Sequence, residues 1–121
     1  MLTERISLSL NLITLQLQGD GLRIDVTDPE SQLLCALAAA PGCRLDSQSL
    51  LVQMCLPAND AGKRALGVRV VRLRKKLLAA GASEPTIKSI RGSGYQLCVP
   101  LSVLARLDKT STLNPSPLSY V

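Results

Sequence analysis

Apolar and polar residues alternate along residues 6–26, which is the pattern of short β-strands with one buried face. The apolar positions Ile6 to Leu12 share one parity and those from Ile13 to Leu17 share the other, so we predict a turn or bulge near Asn11. A Gly-Asp-Gly sequence at 19–21 is a second, stronger turn signal. Residues 1–26 are therefore predicted to form an N-terminal antiparallel β-sheet.

The spacing of apolar residues changes to that of helices from Thr27 onward. Thr27 and Glu30 have the spacing of a capping box, which predicts a first helix over about 28–40. Asp46 is a plausible N-cap for a second helix over about 47–55. The residues of these two helices that are expected to face inward are Leu33, Leu34, Leu37, Leu50, Leu51 and Met54.

A third helix is predicted over 60–80, and it combines an apolar stripe with many basic residues. The stripe, at the three- and four-residue spacing of one helix face, consists of Leu66, Val70, Leu73 and Leu77. The opposite face carries Arg64, Val68, Val71, Arg72 and Lys75, with Arg69 and Arg74 on its flanks. Such a face suits a DNA major groove, where guanidinium groups bond guanine edges and valine touches thymine methyl groups. Taken alone, the pattern fits a solvated surface helix as well as it fits a DNA-binding helix.

Two short β-type runs follow the third helix, one on each side of a Gly-Ser-Gly sequence at 92–94, and predict a β-hairpin over 86–99. Lys88 and Arg91 place positive charge near its tip. Nine of the 14 Lys and Arg residues lie between Lys63 and Arg91, against the single acid Glu84. A charge excess concentrated in one segment favours a polyanionic partner.

These residues carry a family resemblance. The sequence Arg-Leu-Arg-Lys-Lys-Leu at 72–77, followed by Ile-Lys-Ser-Ile-Arg-Gly-Ser-Gly-Tyr-Gln-Leu at 87–97, resembles the OmpR/PhoB-type winged-helix DNA-binding domain of transcriptional regulators. The resemblance covers roughly residues 22–99. It implies an α+β fold with an N-terminal antiparallel sheet, a three-helix bundle and a C-terminal β-hairpin wing, the winged helix-turn-helix occupying 27–99. Gly67 and Val71 depart from it, because relatives commonly have Asp and often a basic residue there.

The resemblance also implies roles for residues of the third helix and the wing. Arg72 matches a base-contacting arginine, Arg64 and Arg69 match phosphate-binding positions, and Arg91 matches the wing arginine that reaches the minor groove. The full set expected to contact DNA is Arg64, Val68, Arg69, Val71, Arg72, Arg74, Lys75, Lys88, Ser89 and Arg91.

Structural alternatives to these roles are open. The alternative for Arg74 is an ion pair with an acid of the first helix. The alternative for Val68 and Val71 is contact with another protein. Tyr95 is expected to pack beneath the wing.

Composition excludes other classes of protein. The 121 residues, 46% hydrophobic, predict a single domain. With no histidine and no Cys-x-x-Cys spacing we expect no metal site and no cofactor, and with no catalytic set we expect neither an enzyme nor a small-molecule substrate.

Cys35, Cys55 and Cys98 lie in apolar patterns and are expected to be buried free thiols. Reduced thiols and the lack of a secretion signal predict a cytoplasmic location, and no apolar run approaches the ~20 residues of a membrane helix.

We therefore predict a sequence-specific transcription regulator that binds double-stranded DNA, with helix 60–80 in the major groove and the wing tip in the minor groove. The alternative is a winged-helix module that binds another regulator or RNA polymerase. The resemblance implies two copies side by side on direct repeats, and in some relatives the loop corresponding to 56–62 contacts RNA polymerase, a plain connector being the other interpretation.

The last residues, 100–121, are predicted to be a largely mobile extension, in which Val103, Leu104 and Leu107 could form one short helix. Most relatives carry a receiver domain of about 120 residues, for which 121 residues leave no room. A stand-alone regulator, an excised domain and a regulator controlled by abundance or partners are therefore all open.

Overall fold

The computed structural model describes residues 7–19 and 21–105. The predicted strand residue Ile6 and the predicted mobility of 106–121 lie outside the described residues. The elements in chain order are β1 (Leu8–Asn11), β2 (Gln16–Gly19), β3 (Leu22–Asp25), α1 (Asp28–Ala39), β4 (Arg44–Asp46), α2 (Ser47–Gln53), α3 (Asp60–Ala79), β5 (Ile87–Ile90), β6 (Gly94–Leu97) and β7 (Leu101–Leu104). A first sheet, three helices and a C-terminal hairpin confirm the predicted α+β fold class.

The first sheet has the strand order β3-β2-β1-β7. The pairs β1–β2 and β2–β3 are antiparallel, as predicted. The turn near Asn11 is also confirmed, because the Asn11 side-chain oxygen accepts hydrogen bonds from the backbone N–H groups of Ile13 and Thr14 at 2.8 and 3.1 Å. An asparagine side chain that bonds its own downstream backbone stabilises a turn at that point.

Strand β7 corrects the predicted C-terminal helix. Val103 and Leu104 lie in this strand, which pairs in parallel with β1, and the backbone N–H of Leu12 donates to the carbonyl of Leu104 at 2.8 Å. A short apolar run is compatible with either helix or strand, and here the open edge of β1 satisfies the backbone groups. Leu107 lies outside the described residues. The first sheet thus combines three strands from residues 8–25 with one strand from residues 101–104, and it is not purely antiparallel.

Side-chain caps fix where the helices begin. Thr27 Oγ1 accepts from the N–H of Glu30, whose carboxylate accepts from the N–H of Thr27, so the capping box forms. Asp46 caps α2 by accepting from the N–H of Ser49, as predicted, and Asn59 caps α3. Helices α1 and α3 end one residue before the expected positions, and α2 ends two residues before.

The core is aliphatic and joins the three helices to the first sheet. Every helix residue predicted to face inward is buried, namely Leu33, Leu34, Leu37, Leu50, Leu51, Met54, Leu66, Val70, Leu73 and Leu77. Full burial of a leucine side chain contributes about 1.5–3 kcal/mol relative to exposure. The prediction for the cysteines is wrong at Cys55, which follows α2 with a φ of 57° and is exposed; the free thiols of Cys35 and Cys98 are only partly buried.

A second sheet, with the order β4-β6-β5, contains the predicted wing hairpin. Strand β4, which the sequence pattern did not predict, pairs antiparallel with β6. A Cβ on Gly94 would lie 2.0 Å from the Leu45 carbonyl oxygen, so a glycine is required where these strands meet. Tyr95 lies between Leu45 and Ser89 in the strand register and is partly buried against the core, which confirms its packing role.

Candidate nucleic-acid interface

All of the residues predicted to contact DNA lie on α3 or on the wing. On α3 the exposed members are Arg64, Val68, Val71, Arg72 and Lys75, whereas Arg69 and Arg74 are half-buried on the flanks. On the wing, Lys88, Ser89 and Arg91 are exposed. The two valines, 45% and 48% exposed, are large apolar residues within a cationic surface. We use the name outward face for five exposed residues of α3, namely Arg64, Val68, Val71, Arg72 and Lys75.

The outward face exists because the opposite side of α3 is anchored. The apolar stripe is buried along the helix, and the side chain of Asn59 accepts from the N–H of Gly62 at 2.9 Å in the first turn. A Cβ on Gly62 would lie 1.7 Å from the Pro57 carbonyl oxygen, so the preceding loop packs directly on the helix. These contacts fix the rotation of α3 about its axis, and with it the direction of the basic residues.

Arg74 connects α3 to the wing. Its Nε donates to the Ile87 carbonyl oxygen at 2.9 Å, and its Nη2 donates to Ser89 Oγ at 3.1 Å. The alternative in which Arg74 pairs with an acid of the first helix is therefore wrong. The contact places strand β5 beside one flank of α3, so that helix and hairpin border the same surface.

The acid of the first helix is instead bound by Lys76, two residues further along. Lys76 Nζ lies 2.6 Å from Glu30 Oε1, with the two side chains 30% and 6% exposed. Burial alone raises the pKa of Glu30, but the hydrogen bonds from Lys76 and from the Thr27 backbone, together with the charge of Lys76, outweigh it and lower the pKa. This ion pair joins α3 to the start of α1 on the flank opposite the wing, and the sequence pattern did not single out Lys76 for it.

The remaining basic residues of the surface have no such partner. Within the part of the chain that the structure describes, no hydrogen bond or ion pair is formed by the side chains of Arg64, Arg69, Arg72, Lys75, Lys88 and Arg91. Cations held near one another without counter-charges create a positive potential that attracts an anionic ligand. The arrangement can therefore bind a polyanion along α3 and the wing.

Two other kinds of site, a metal centre and a membrane-spanning helix, are absent from residues 7–19 and 21–105. This part of the chain holds no group of three or more Cys, Asp or Glu side chains placed to bind a metal ion. Among the same residues, no helix combines the length and the apolar character that crossing a membrane requires.

Solved structures with the same fold define the class of protein. The DNA-binding domain of RstA from Klebsiella pneumoniae, solved in complex with the RstA box, superposes with a TM-score of 0.62 at 28% identity, over 78% of this chain and 94% of that one. The C-terminal domain of the nisin resistance regulator NsrR, a lantibiotic response regulator, gives a TM-score of 0.61 at 26% identity, over 74% and 89%. The chain therefore has the winged-helix fold of response-regulator DNA-binding domains.

Residues 21–97 match the family described as transcriptional regulatory protein, C terminal, and the chain belongs to this family of OmpR/PhoB-type DNA-binding domains. The predicted resemblance is thus confirmed. The regulatory protein VirG of Agrobacterium tumefaciens is 33% identical over 88 residues, 72% of this chain and 33% of that protein. The heme response regulator HssR of Staphylococcus saprophyticus is 31% identical over 91 residues, 75% and 40%. The chain spans between a third and two fifths of these relatives.

Proposed function

We propose that this chain is a sequence-specific transcription regulator that binds double-stranded DNA, with α3 in the major groove and the wing tip in the adjacent minor groove. The observation that carries the proposal is the outward face of α3, whose cations have no partner in the described part of the chain. The wing borders the same surface because Arg74 ties it to the helix.

In this arrangement the residues of α3 have different tasks. Arg72, exposed on the outward face, reads a guanine by a bidentate hydrogen bond. Arg64, Arg69 and Lys75 bind phosphates, which fix the register of the protein on the duplex but carry no sequence information. The exposed Val68 and Val71 touch thymine methyl groups.

The wing supplies the contacts to the minor groove and to the sugar-phosphate strand that separates it from the major groove. Arg91, the first residue of the hairpin turn, enters the minor groove, where narrow A·T-rich stretches attract a cation. Lys88 and Ser89 contact the sugar-phosphate backbone. Arg74 shares a phosphate with Ser89. Its guanidinium has five N–H donors, and among the residues that the structure describes only two groups accept from it, so donors are left for a phosphate. The RstA domain, similar in fold and sequence, was solved on its DNA box, which supports a duplex ligand for this chain too.

Further partners follow from the same proposal. Two copies are expected side by side on direct repeats, since one small module rarely reaches operator-level affinity alone.

The loop 56–62 is proposed to contact RNA polymerase, because Val52 at the end of α2 is 75% exposed and Cys55 is exposed beside the loop. This apolar exposure is also the observation that favours the second candidate, a winged-helix module that acts on another regulator or the polymerase in the cytoplasm.

The proposal is tested by selecting the genomic DNA fragments that the chain binds at two salt concentrations, and then probing the selected duplex chemically. We expect protection of guanine N7, in the major groove, over a few base pairs and of adenine N3, in the minor groove, one groove away. Recovery of random fragments, or protection confined to one groove, would contradict the assignment of α3 and the wing. Retention of RNA polymerase without any preferred fragment would favour the second candidate.

A further inference from the structure

Gly67 lies in the middle of α3, where the fold gives no reason for a glycine. Glycine is among the least favourable residues in a helix interior. At Gly62 and Gly94 the packing requires it, since a Cβ would lie 1.7 and 2.0 Å from carbonyl oxygens of neighbouring segments. At Gly67 a Cβ would meet nothing within 4 Å, and the position is half-exposed. A side chain here would extend into open space.

The open space lies on the DNA-facing side of the helix, next to the wing. Gly67, Val71 and Arg74 are four and three residues apart, so they follow one side of α3. Arg74 marks that side as the one facing β5, through its bonds to Ile87 and Ser89. The lack of a side chain at 67 therefore makes a notch between the outward face and the wing, one turn after Arg64.

We propose that Gly67 is a specificity-determining position, at which a DNA sugar-phosphate strand running between α3 and the wing approaches the helix backbone. This inference rests on the proposed function. Glycine is the residue that permits such close approach, and a phosphate drawn nearer to Arg64 and Arg74 interacts with them more strongly. The notch sets how deeply α3 enters the major groove, and thus whether Arg72 reaches base edges.

The test adds atoms at the notch with the variants Gly67→Ala and Gly67→Leu. Because the space is open and both residues favour helix, the melting temperature is expected to rise by about 4–8 °C for the alanine variant. Affinity for the preferred duplex is expected to fall about tenfold for alanine and further for leucine, as for the loss of one good contact. The ratio of preferred to random duplex should fall in parallel. The control is Ala79→Ser, which also adds one atom but at the last residue of α3, and it should bind both duplexes like the parent.

Two results would overturn the inference. Variants that are more stable and bind both duplexes like the parent would show that no strand approaches at Gly67. A lower melting temperature for Gly67→Ala would show instead that the fold requires the glycine. In either case a loss of preference in Arg72→Ala leaves the proposed function standing, whereas a parent chain that prefers no duplex would remove the proposed function and this inference together.

Discussion

The flanks of α3 and its outward face carry the same kinds of side chain but differ in what these contact. Arg74 binds the wing on one flank and Lys76 binds Glu30 of α1 on the other. On the outward face between them, Arg72 and Lys75 have no partner within residues 7–19 and 21–105. The comparison teaches that the cations of α3 that hold the fold, Arg74 and Lys76, lie on its flanks, where a neighbouring element is within reach, whereas those on the outward face are available to a ligand.

The largest expected effect is on DNA binding and comes from the outward face. Arg72→Ala should relax the sequence preference and cost about 1–3 kcal/mol on the preferred duplex, because a bidentate bond to guanine is lost. Arg69→Ala should instead weaken preferred and random duplexes alike. Titrations of both variants against both duplexes measure the difference. Parent-like binding of both variants would mean that neither Arg72 on the outward face nor Arg69 on its flank contacts the duplex.

The second effect is on stability and comes from a flank. Lys76→Met keeps the apolar stem but leaves the buried Glu30 carboxylate without its cation, so the free energy of unfolding should fall by about 1–2 kcal/mol at pH 7. Urea unfolding of the parent and the variant measures this. The matched control is Lys75→Met, an exposed neighbour on the outward face, for which no measurable loss is expected. Equal stability of the parent and Lys76→Met would contradict the supporting role of the flank.

The same pair predicts a dependence of stability on pH. The pKa of Glu30 is lowered in the folded chain, so its contribution is complete above the ordinary value of 4.5 and is lost as the pH falls through the folded value. In Lys76→Met only the backbone and side-chain hydrogen bonds with Thr27 oppose the effect of burial on the pKa of Glu30, so this contribution shrinks. The parent and the variant should therefore differ most near neutral pH and converge once the pH has fallen below the lowered pKa of Glu30 in the parent. A difference that grows on acidification would have the wrong sign.

A third effect concerns the link between helix and wing. Arg74→Lys keeps the charge but loses the planar group that bonds Ile87 and Ser89 together, so β5 should open more readily and stability should fall by about 1 kcal/mol. Amide hydrogen exchange in β5 and minor-groove protection on DNA measure the two consequences. Arg69→Lys, at a position without such bonds, is the control. Unchanged exchange in Arg74→Lys would show that the wing needs no tie to α3.

The smallest effect is expected for a single phosphate contact. Lys75→Ala should leave stability within about 0.5 kcal/mol of the parent, because the side chain is exposed. It should reduce the slope of log affinity against log salt by about one, the amount for one phosphate contact. An unchanged slope would remove Lys75 from the phosphate-binding set.

Much of the fold was predictable because its signals are local. The leucine and valine stripe of α3 and the capping box of Thr27 and Glu30 each lie within a few turns of one helix, and the Gly-Ser-Gly turn lies within one hairpin. What failed depends on distant parts of the chain. Strand β7 forms because β1, far away in sequence, offers an open edge, whereas the run Leu101–Leu104 alone is too short to distinguish strand from helix.

The candidate site divides in the same way. Helical spacing predicts which face of α3 is basic, and the exposures of Val68 and Arg72 agree with it. Spacing does not predict which cation finds Glu30, since Arg74 and Lys76 lie on opposite flanks and only the packing of α1 and the wing decides between them. The open space at Gly67 is likewise a property of the folded neighbourhood, although a glycine inside a basic helix was a signal in the sequence.

The central claim is that the outward face of α3 and the wing form one surface for duplex DNA. The most direct measurement is the affinity of the parent and of a variant with Arg64, Arg69 and Arg72 all changed to Ala, for the selected duplex, across a series of salt concentrations. For the parent we expect a log–log slope of roughly −4 to −6, the value for about five or six neutralised phosphates. For the variant we expect a slope shallower by about two, because Arg64 and Arg69 no longer bind phosphates, and no preference among duplexes, because Arg72 no longer reads a base. A shallow slope for the parent, or the same slope and preference in both proteins, would contradict the claim.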